Sequence, residues 1–348
     1  MQILDTTIRD GSYAVDFKFS CADVKKVVSR LEKLGFEYIE IGHGMGLNAS
    51  SSQHGLSLHT DLEYMEVAQK TLKKAKFGFF CIPGIARLED IAFAKENGVS
   101  FIRIGIEPKK IAKAIPYIEE AKKQGLIVMV NFMKTYSASY ELVAECAKNV
   151  QRAGAEFVYI VDSAGCMLPQ QIEKYYKAIK NKCNVKIGFH GHNNLGLAVS
   201  NTVFCAELGF DIVDCSLQGL GRSIGNASSE QVIMTLQKKG MPLNYDIPRL
   251  LEYGYVLLRD IVGEKIQNPL DLVCGYADFH SGYIKDIYKC SNEFQVDPLR
   301  LIIHYGQTEK GEMDYEKLTQ IAQTLPIDEE ENPYSFREFF SELYNDEE

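Results

Sequence analysis

The chain has 348 residues, 46% of them hydrophobic and 24% charged, with a formal net charge of −9. That length can bury a sizeable core, enough for one large domain and a small one, and the negative balance argues against a nucleic-acid partner. No apolar run approaches the roughly 20 residues that span a bilayer, residues 1–5 lack a basic region and a signal-like apolar core, and the 9 cysteines are scattered with no Cys-x-x-Cys pair. The expectation is a cytoplasmic protein with no membrane segment, no disulfide framework and no thiolate metal site.

Taken in chain order, short β-rich runs alternate with helical stretches. The predicted strands are Ile3–Thr7, Tyr38–Ile41, Phe77–Cys81, Phe101–Ile104, Ile127–Asn131, Phe157–Val161, Lys186–Phe189 and Ile212–Cys215. The helices predicted between and after them are Ala22–Leu34, Leu62–Lys74, Leu88–Asn97, Lys110–Gln124, Ser139–Ala153, Pro169–Asn181, Leu195–Leu208 and Ser228–Lys239. Gly35, Gly98, Gly125, Gly154, Gly209 and Gly240 sit where helix C-caps would fall. This repeat predicts an α/β fold, a (β/α)8 TIM barrel over residues 1–242. The apolar strands suit a parallel sheet covered on both faces. A doubly wound sheet would place a Gly-rich loop after the first strand, where this chain has Arg9-Asp10-Gly11.

Residues 243–348 are expected to form a small C-terminal helical domain with an acidic tail. Its first helix, Tyr245–Glu264, carries an apolar stripe of Leu250, Leu251, Tyr255, Leu258, Ile261 and Val262. A Pro- and Gly-bearing stretch, Gln267–Gly275, precedes amphipathic helices from Tyr276 to Thr324. The acidic runs 328–331 and 346–348 read as solvated surface.

Barrel active sites lie at the C-terminal ends of the strands, and polar residues collect there. Arg9 and Asp10 follow the first strand and His43 the second. Asn131 ends the fifth, Asp162 and Ser163 the sixth, and His190 and His192 the seventh. Gln218 and the loop Gly219–Asn226 follow the eighth. His190 and His192, two residues apart on a strand, point to one side. Asp10 would complete a 2-His-1-carboxylate set with open positions. With no soft ligand in the set, the expected ion is Mn2+, then Mg2+ or Co2+, with Zn2+ less suited. Such an ion can grip a 2-oxo acid and act as a Lewis acid on its enolate, with Arg9 facing the same oxygen. Cys166 is the one cysteine near this set.

Several stretches resemble the metal-dependent lyase and aldolase superfamily that includes hydroxymethylglutaryl-CoA lyase and isopropylmalate synthase. They are Asp5–Gly11, Gly42–Leu47, His59–Tyr64, Pro83–Ile85, Asp162–Gly165, His190–Gly196 and Gly225–Ala227. The segments at His43 and His59, with Gly275–Ala277 and Val296–Pro298 near the C-terminus, are most similar to its 4-hydroxy-2-oxovalerate aldolase branch. The resemblance implies Asp10, His190 and His192 as metal ligands, with Asn226 matching a fourth ligand of the lyases. It implies Arg9 as enolate stabiliser, and Ser163, His43, Asp10 and His190 as substrate contacts. The chain departs from the aldolase pattern at the base. Tyr13 stands where the aldolases have histidine, and His280 where they have a supporting tyrosine. The expectation is a pair with roles exchanged, His280 taking the 4-hydroxyl proton and Tyr13 orienting it.

The activity implied is cleavage or formation of a 4-hydroxy-2-oxo acid, giving pyruvate and an aldehyde through a pyruvate enolate. The alternatives are a Claisen-type acyl-CoA/2-oxo acid synthase and a non-catalytic barrel scaffold. The branch also implies an acylating aldehyde dehydrogenase as partner, and the C-terminal helices could instead form a homodimer.

Overall fold

The computed structural model describes residues 1–246, 249–250, 253–254, 258–262, 273–275 and 277–328. Eight parallel strands close into a barrel in sequence order. They are β1 Gln2–Asp5, β2 Tyr38–Ile41, β3 Lys76–Cys81, β4 Phe101–Ile106, β5 Ile127–Phe132, β6 Phe157–Asp162, β7 Lys186–Gly191 and β8 Ile212–Cys215. The seam is β1 against β8, with Leu4 opposite Asp214 and Asp5 opposite Cys215. The predicted (β/α)8 TIM barrel is the observed fold.

The surrounding helices are α1 Cys21–Leu34, α2 Asp61–Thr71, α3 Leu88–Glu96, α4 Ile115–Lys123, α5 Tyr140–Ala153, α6 Pro169–Lys182, α7 Ala198–Leu208 and α8 Ser229–Lys238. Local chemistry sets their ends. Ser20 and Thr60 open α1 and α2 with reciprocal capping boxes to Asp23 and Glu63. Gly35, Gly154 and Gly209 close α1, α5 and α7 in the left-handed conformation. Two helices start three or more residues later than predicted. Pro108–Lys113 forms a 3-10 turn and α4 begins at Ile115, because Pro116 fits only the first turn of a helix. α7 begins at Ala198 rather than Leu195, since Gly196 is left-handed and the Asn193 side chain accepts the Ala198 backbone N–H at 3.1 Å.

Strand alternation divides the barrel interior into layers. Leu4, Tyr38, Phe101, Met129, Tyr159 and Ile212 pack together as an apolar plug. Two residues further along three of these strands stand Glu40, Arg103 and Asp214, all buried. The strand ends and the site come next.

Beyond α8 the described helices are α9 Leu258–Val262, α10 Ile284–Phe294, α11 Pro298–Thr308 and α12 Tyr315–Ala322. Helix α9 falls within the predicted helix Tyr245–Glu264. Leu251 and Tyr255 of its stripe, most of Gln267–Gly275, Tyr276 and the acidic tail from 329 onward lie outside the described residues. Ile287, Cys290, Leu301, Ile302 and Leu318 give α10–α12 an apolar core of their own. Among the described residues no helix is long and apolar enough to cross a membrane.

The loop after β2 is held against β3 by close backbone approach. Gly46 has φ +91°, and a Cβ there would lie 2.1 Å from the Phe80 carbonyl oxygen. Gly84, at φ +98°, has nothing within 4 Å. Gly46→Ala is expected to cost about 2–3 kcal/mol in urea unfolding, and Gly84→Ala about 1 kcal/mol, the backbone strain alone.

Candidate active site

The turn out of β1 aims Arg9 and Asp10 across the barrel mouth. The Asp5 carboxylate accepts the Thr7 backbone N–H at 2.9 Å and the Thr7 hydroxyl at 2.8 Å, which bends the chain off the strand two residues earlier than predicted. From there a continuous chain of buried charges runs through the barrel. Arg9 Nη1 donates to Asp10 Oδ1 at 2.8 Å, and Arg9 Nε to Glu40 Oε2 at 2.7 Å. The same Glu40 oxygen accepts Arg103 Nη1 at 2.7 Å. Arg103 Nη2 pairs with Asp214 Oδ2, which meets His190 Nδ1 at 2.8 Å. His190 Nε2 then lies 3.7 Å from Asp10 Oδ2.

This chain sets the protonation states. Burial alone would raise the Asp10 carboxyl, but the Arg9 guanidinium above all holds it well below the usual carboxylate range. Burial would likewise lower Arg103, yet Asp214 and Glu40 keep it firmly charged. A carboxylate only accepts, so His190 Nδ1 carries a proton toward Asp214, and Nε2 faces Asp10. His192 is neutral, since burial pushes it down to about 3. Two guanidiniums face three carboxylates, leaving one negative charge in excess.

The structure brings the expected metal set together. One ligand atom each from Asp10, His190 and His192 lies within 4.8 Å of the others, all buried. Asp10 Oδ2, His192 Nδ1 and Asn226 Oδ1 are buried without a hydrogen-bond partner. Asn226 joins by backbone pairing with His192 and by its amide NH2, which donates to Leu220 O at 3.2 Å and so leaves Oδ1 free. Unpartnered acceptors converging beside excess negative charge fit a hard or borderline divalent cation.

A cavity of about 270 Å³ opens on this set, and its wall includes Arg9, Asp10, Tyr13, Ser163, His190, His192, Arg222 and His280. Ser163 Oγ accepts the Lys134 backbone N–H at 2.9 Å, which leaves its own hydrogen to donate. Tyr13 and His280 share the cavity with no hydrogen bond between them, and Arg222 stands between. The Arg222 guanidinium lies 5.2 Å from the centre of the Tyr13 ring. On the other side, one point beside Gly282 lies 2.8 Å from His280 Nδ1 and 2.9 Å from Arg222 Nη2. Burial, then Arg222, pushes His280 well below 6.5, so it is neutral, whereas burial raises the Tyr13 phenol.

His43 is placed otherwise than expected of a substrate contact. It lies outside the residues lining the cavity. Its Nδ1 accepts the Met45 N–H at 3.0 Å, its Nε2 faces the Gly55 carbonyl at 3.2 Å, and its ring stacks on Phe17. Both nitrogens are committed to backbone, so the residue shapes the loop that carries Gly44 and Met45 to the cavity. Cys166 is buried and its thiol is pushed well up by burial, so it is no nucleophile.

Sequence reasoning missed Glu40, Arg103 and Asp214, although charged residues inside otherwise apolar parallel strands were a signal. Lys134, Glu107 and the distinct position of Arg222 carried no motif of their own. Asp214→Asn is expected to weaken Mn2+ binding about 10- to 100-fold by calorimetry, through the lost orientation of His190. Arg103→Met strands Glu40 and Asp214 without their cation. It is expected to cost about 3–5 kcal/mol in denaturant unfolding.

The HMGL-like family matches residues 1–256 of the chain. A 4-hydroxy-2-oxovalerate aldolase of Pelotomaculum thermopropionicum is 33% identical over 90% of this chain and 94% of its own. An oxaloacetate decarboxylase of Mycobacterium tuberculosis is 36% identical over 89% of this chain and 92% of its own. Among solved structures, the HMG-CoA lyase of Brucella melitensis superposes with a TM-score of 0.64 at 20% identity, over 76% of this chain and 99% of that one. The chain belongs to the HMGL-like family and is an enzyme, a carbon–carbon lyase.

Proposed function

We propose that the enzyme cleaves, or forms, a 4-hydroxy-2-oxo acid, with pyruvate and an aldehyde as the other side of the reaction. Asp10, His190 and His192 hold a divalent cation, Mn2+ ahead of Mg2+ and Co2+, and Asn226 adds a fourth donor. When bound, the cation polarises the 2-oxo group and anchors the substrate. The observation that carries the reading is one small cavity in which these donors, the Arg9 guanidinium and the proton-handling pair Tyr13 and His280 all converge.

The residues have distinct tasks. Arg9 spends Nε on Glu40 and Nη1 on Asp10, which leaves Nη2 for the C2 oxygen as negative charge develops there. Ser163 donates to the substrate carboxylate. His280, neutral because burial lowers it, takes the proton of the 4-hydroxyl on Nδ1, the nitrogen whose lone pair also accepts the Gly282 N–H at 3.1 Å, and Tyr13 orients that hydroxyl. The C3–C4 bond breaks, its electron pair passes to C3, and protonation there yields pyruvate. The 4-hydroxyl carbon leaves as the aldehyde.

The 36%-identical decarboxylase favours a second reading, loss of CO2 from a 2-oxo diacid. That reaction also breaks C3–C4 but has no 4-hydroxyl proton to remove. The Claisen synthase expected as an alternative would instead release free thiol from acetyl-CoA and a 2-oxo acid. On the aldol reading an acylating aldehyde dehydrogenase consumes the aldehyde, and α10–α12 are the surface for it or for a homodimer. The 9 cysteines are all free, which accords with the reducing cytoplasm expected.

His280→Ala is expected to lower kcat for pyruvate release from 4-hydroxy-2-oxopentanoate by about 10²- to 10⁴-fold, with Mn2+ affinity unchanged. Oxaloacetate decarboxylation by the same variant tests the second reading: a loss confined to the aldol substrate supports His280 as base, and full aldol activity rejects it. A base must be unprotonated to act, and burial lowers this one. The acidic limb of kcat/KM for the wild-type enzyme is therefore expected below pH 6.5.

A further inference from the structure

One charged group in the cavity has no counter-charge among the described residues. Arg9 is spent on Glu40 and Asp10. Lys134, also in the wall, donates to Glu107 at 3.0 Å and to the Tyr283 hydroxyl. Arg222 makes neither an ion pair nor a side-chain hydrogen bond with any described residue, and its only recorded side-chain partner is the face of the Tyr13 ring.

The backbone fixes it there. Gly225 N–H donates to the Arg222 carbonyl at 3.0 Å, Ser223 adopts φ +58°, and Ser223 Oγ bonds Ser281 Oγ at 2.8 Å. The loop after β8 is thus tied to the segment that carries His280. Among the described residues the only carboxylates lining the cavity are Asp10, at the metal end, and Glu107, which is held by Lys134. A partly buried guanidinium without a counter-charge is costly unless a ligand supplies one, and its planar fork matches a carboxylate.

Position selects the atom that bears the charge. With the 2-oxo acid end at Asp10, His190 and His192, the substrate's C4 hydroxyl falls to Tyr13 and His280. Arg222 stands between those two. The same cavity, about 270 Å³, reaches from the metal-ligand set to Arg222.

We infer that Arg222 binds a carboxylate carried on C4, so that the preferred substrate is a 4-hydroxy-2-oxo diacid and the aldehyde it releases is itself an oxo acid. This rests on the cleavage reading above and names its substrate class. The step balances as before. The hydroxyl proton goes to His280, the C3–C4 bond breaks with its electrons to C3, and the distal carboxylate stays ionised from substrate to product. A contact that does not change along the reaction acts on binding, so it appears in KM.

The test compares matched ligands on the Mn2+-loaded full chain. 2-Oxoglutarate and 2-oxopentanoate share a five-carbon frame, lack the 4-hydroxyl and differ in the distal carboxylate. By calorimetry the wild type is expected to bind the diacid about 10- to 100-fold tighter, the range of a charge-assisted hydrogen bond, and Arg222→Gln to lose that preference. Equal affinity of the wild type for the two acids would overturn the assignment, as would an equal loss for both in the variant. In turnover, 4-hydroxy-2-oxoglutarate is expected to exceed 4-hydroxy-2-oxopentanoate in kcat/KM through a lower KM, and Arg222→Gln to remove the advantage. Cleavage of both at equal efficiency rejects the role of Arg222 and leaves the aldolase reading standing. Cleavage of neither, with the diacid preference in binding intact, rejects the aldolase reading and leaves the Arg222 site standing.

Discussion

The site depends on the alternating chain Asp10–Arg9–Glu40–Arg103–Asp214–His190. It crosses the barrel from the end of β1 through β2, β4 and β8 to β7. Buried ion pairs contribute little net stability, because desolvation offsets the Coulomb gain. What this one supplies is placement. Arg9, Glu40 and Arg103 each have a neighbour of opposite sign on either side, so Arg9 and Asp10 are held in one geometry over the barrel axis, and Asp214 fixes the His190 ring through Nδ1. Three carboxylates against two guanidiniums leave this chain one negative charge in excess, beside the three unpartnered acceptors.

Below this chain the apolar plug of Leu4, Tyr38, Phe101, Met129, Tyr159 and Ile212 keeps water from the charged layer. Above it, the segment before α10 brings His280 to the cavity wall, and Tyr283 of the same segment meets Lys134. The barrel carries the Asp10, His190 and His192 cluster with Arg9 and Tyr13, and the segment before α10 carries His280. The two are tied by Lys134 to Tyr283 and by Ser223 to Ser281.

Much of this was legible in the sequence. Eight apolar runs alternating with capped amphipathic helices specify a parallel barrel, and its geometry puts residues 10, 190 and 192 at one rim. Helix starts were less legible at Pro116 and Gly196, where one residue's backbone restriction overrode the apolar period. His43 misled because its type and loop position suit a ligand contact, while the folded loop spends both its nitrogens on backbone. Glu40, Arg103 and Asp214 were visible as charges inside buried strands. Only closure of the barrel, however, shows that they meet one another. Arg222 could not be weighed from its glycine-rich neighbours, since the absence of a partner is a property of the folded cavity.

The most direct measurement is crystallographic. The protein would be soaked with Mn2+ and oxalate, and the anomalous difference map recorded at the manganese edge. A single peak is expected within coordination distance of Asp10, His190 and His192, with oxalate on its open positions facing Arg9. A map with no manganese among these three side chains, or manganese bound elsewhere while they stay apart, would contradict it.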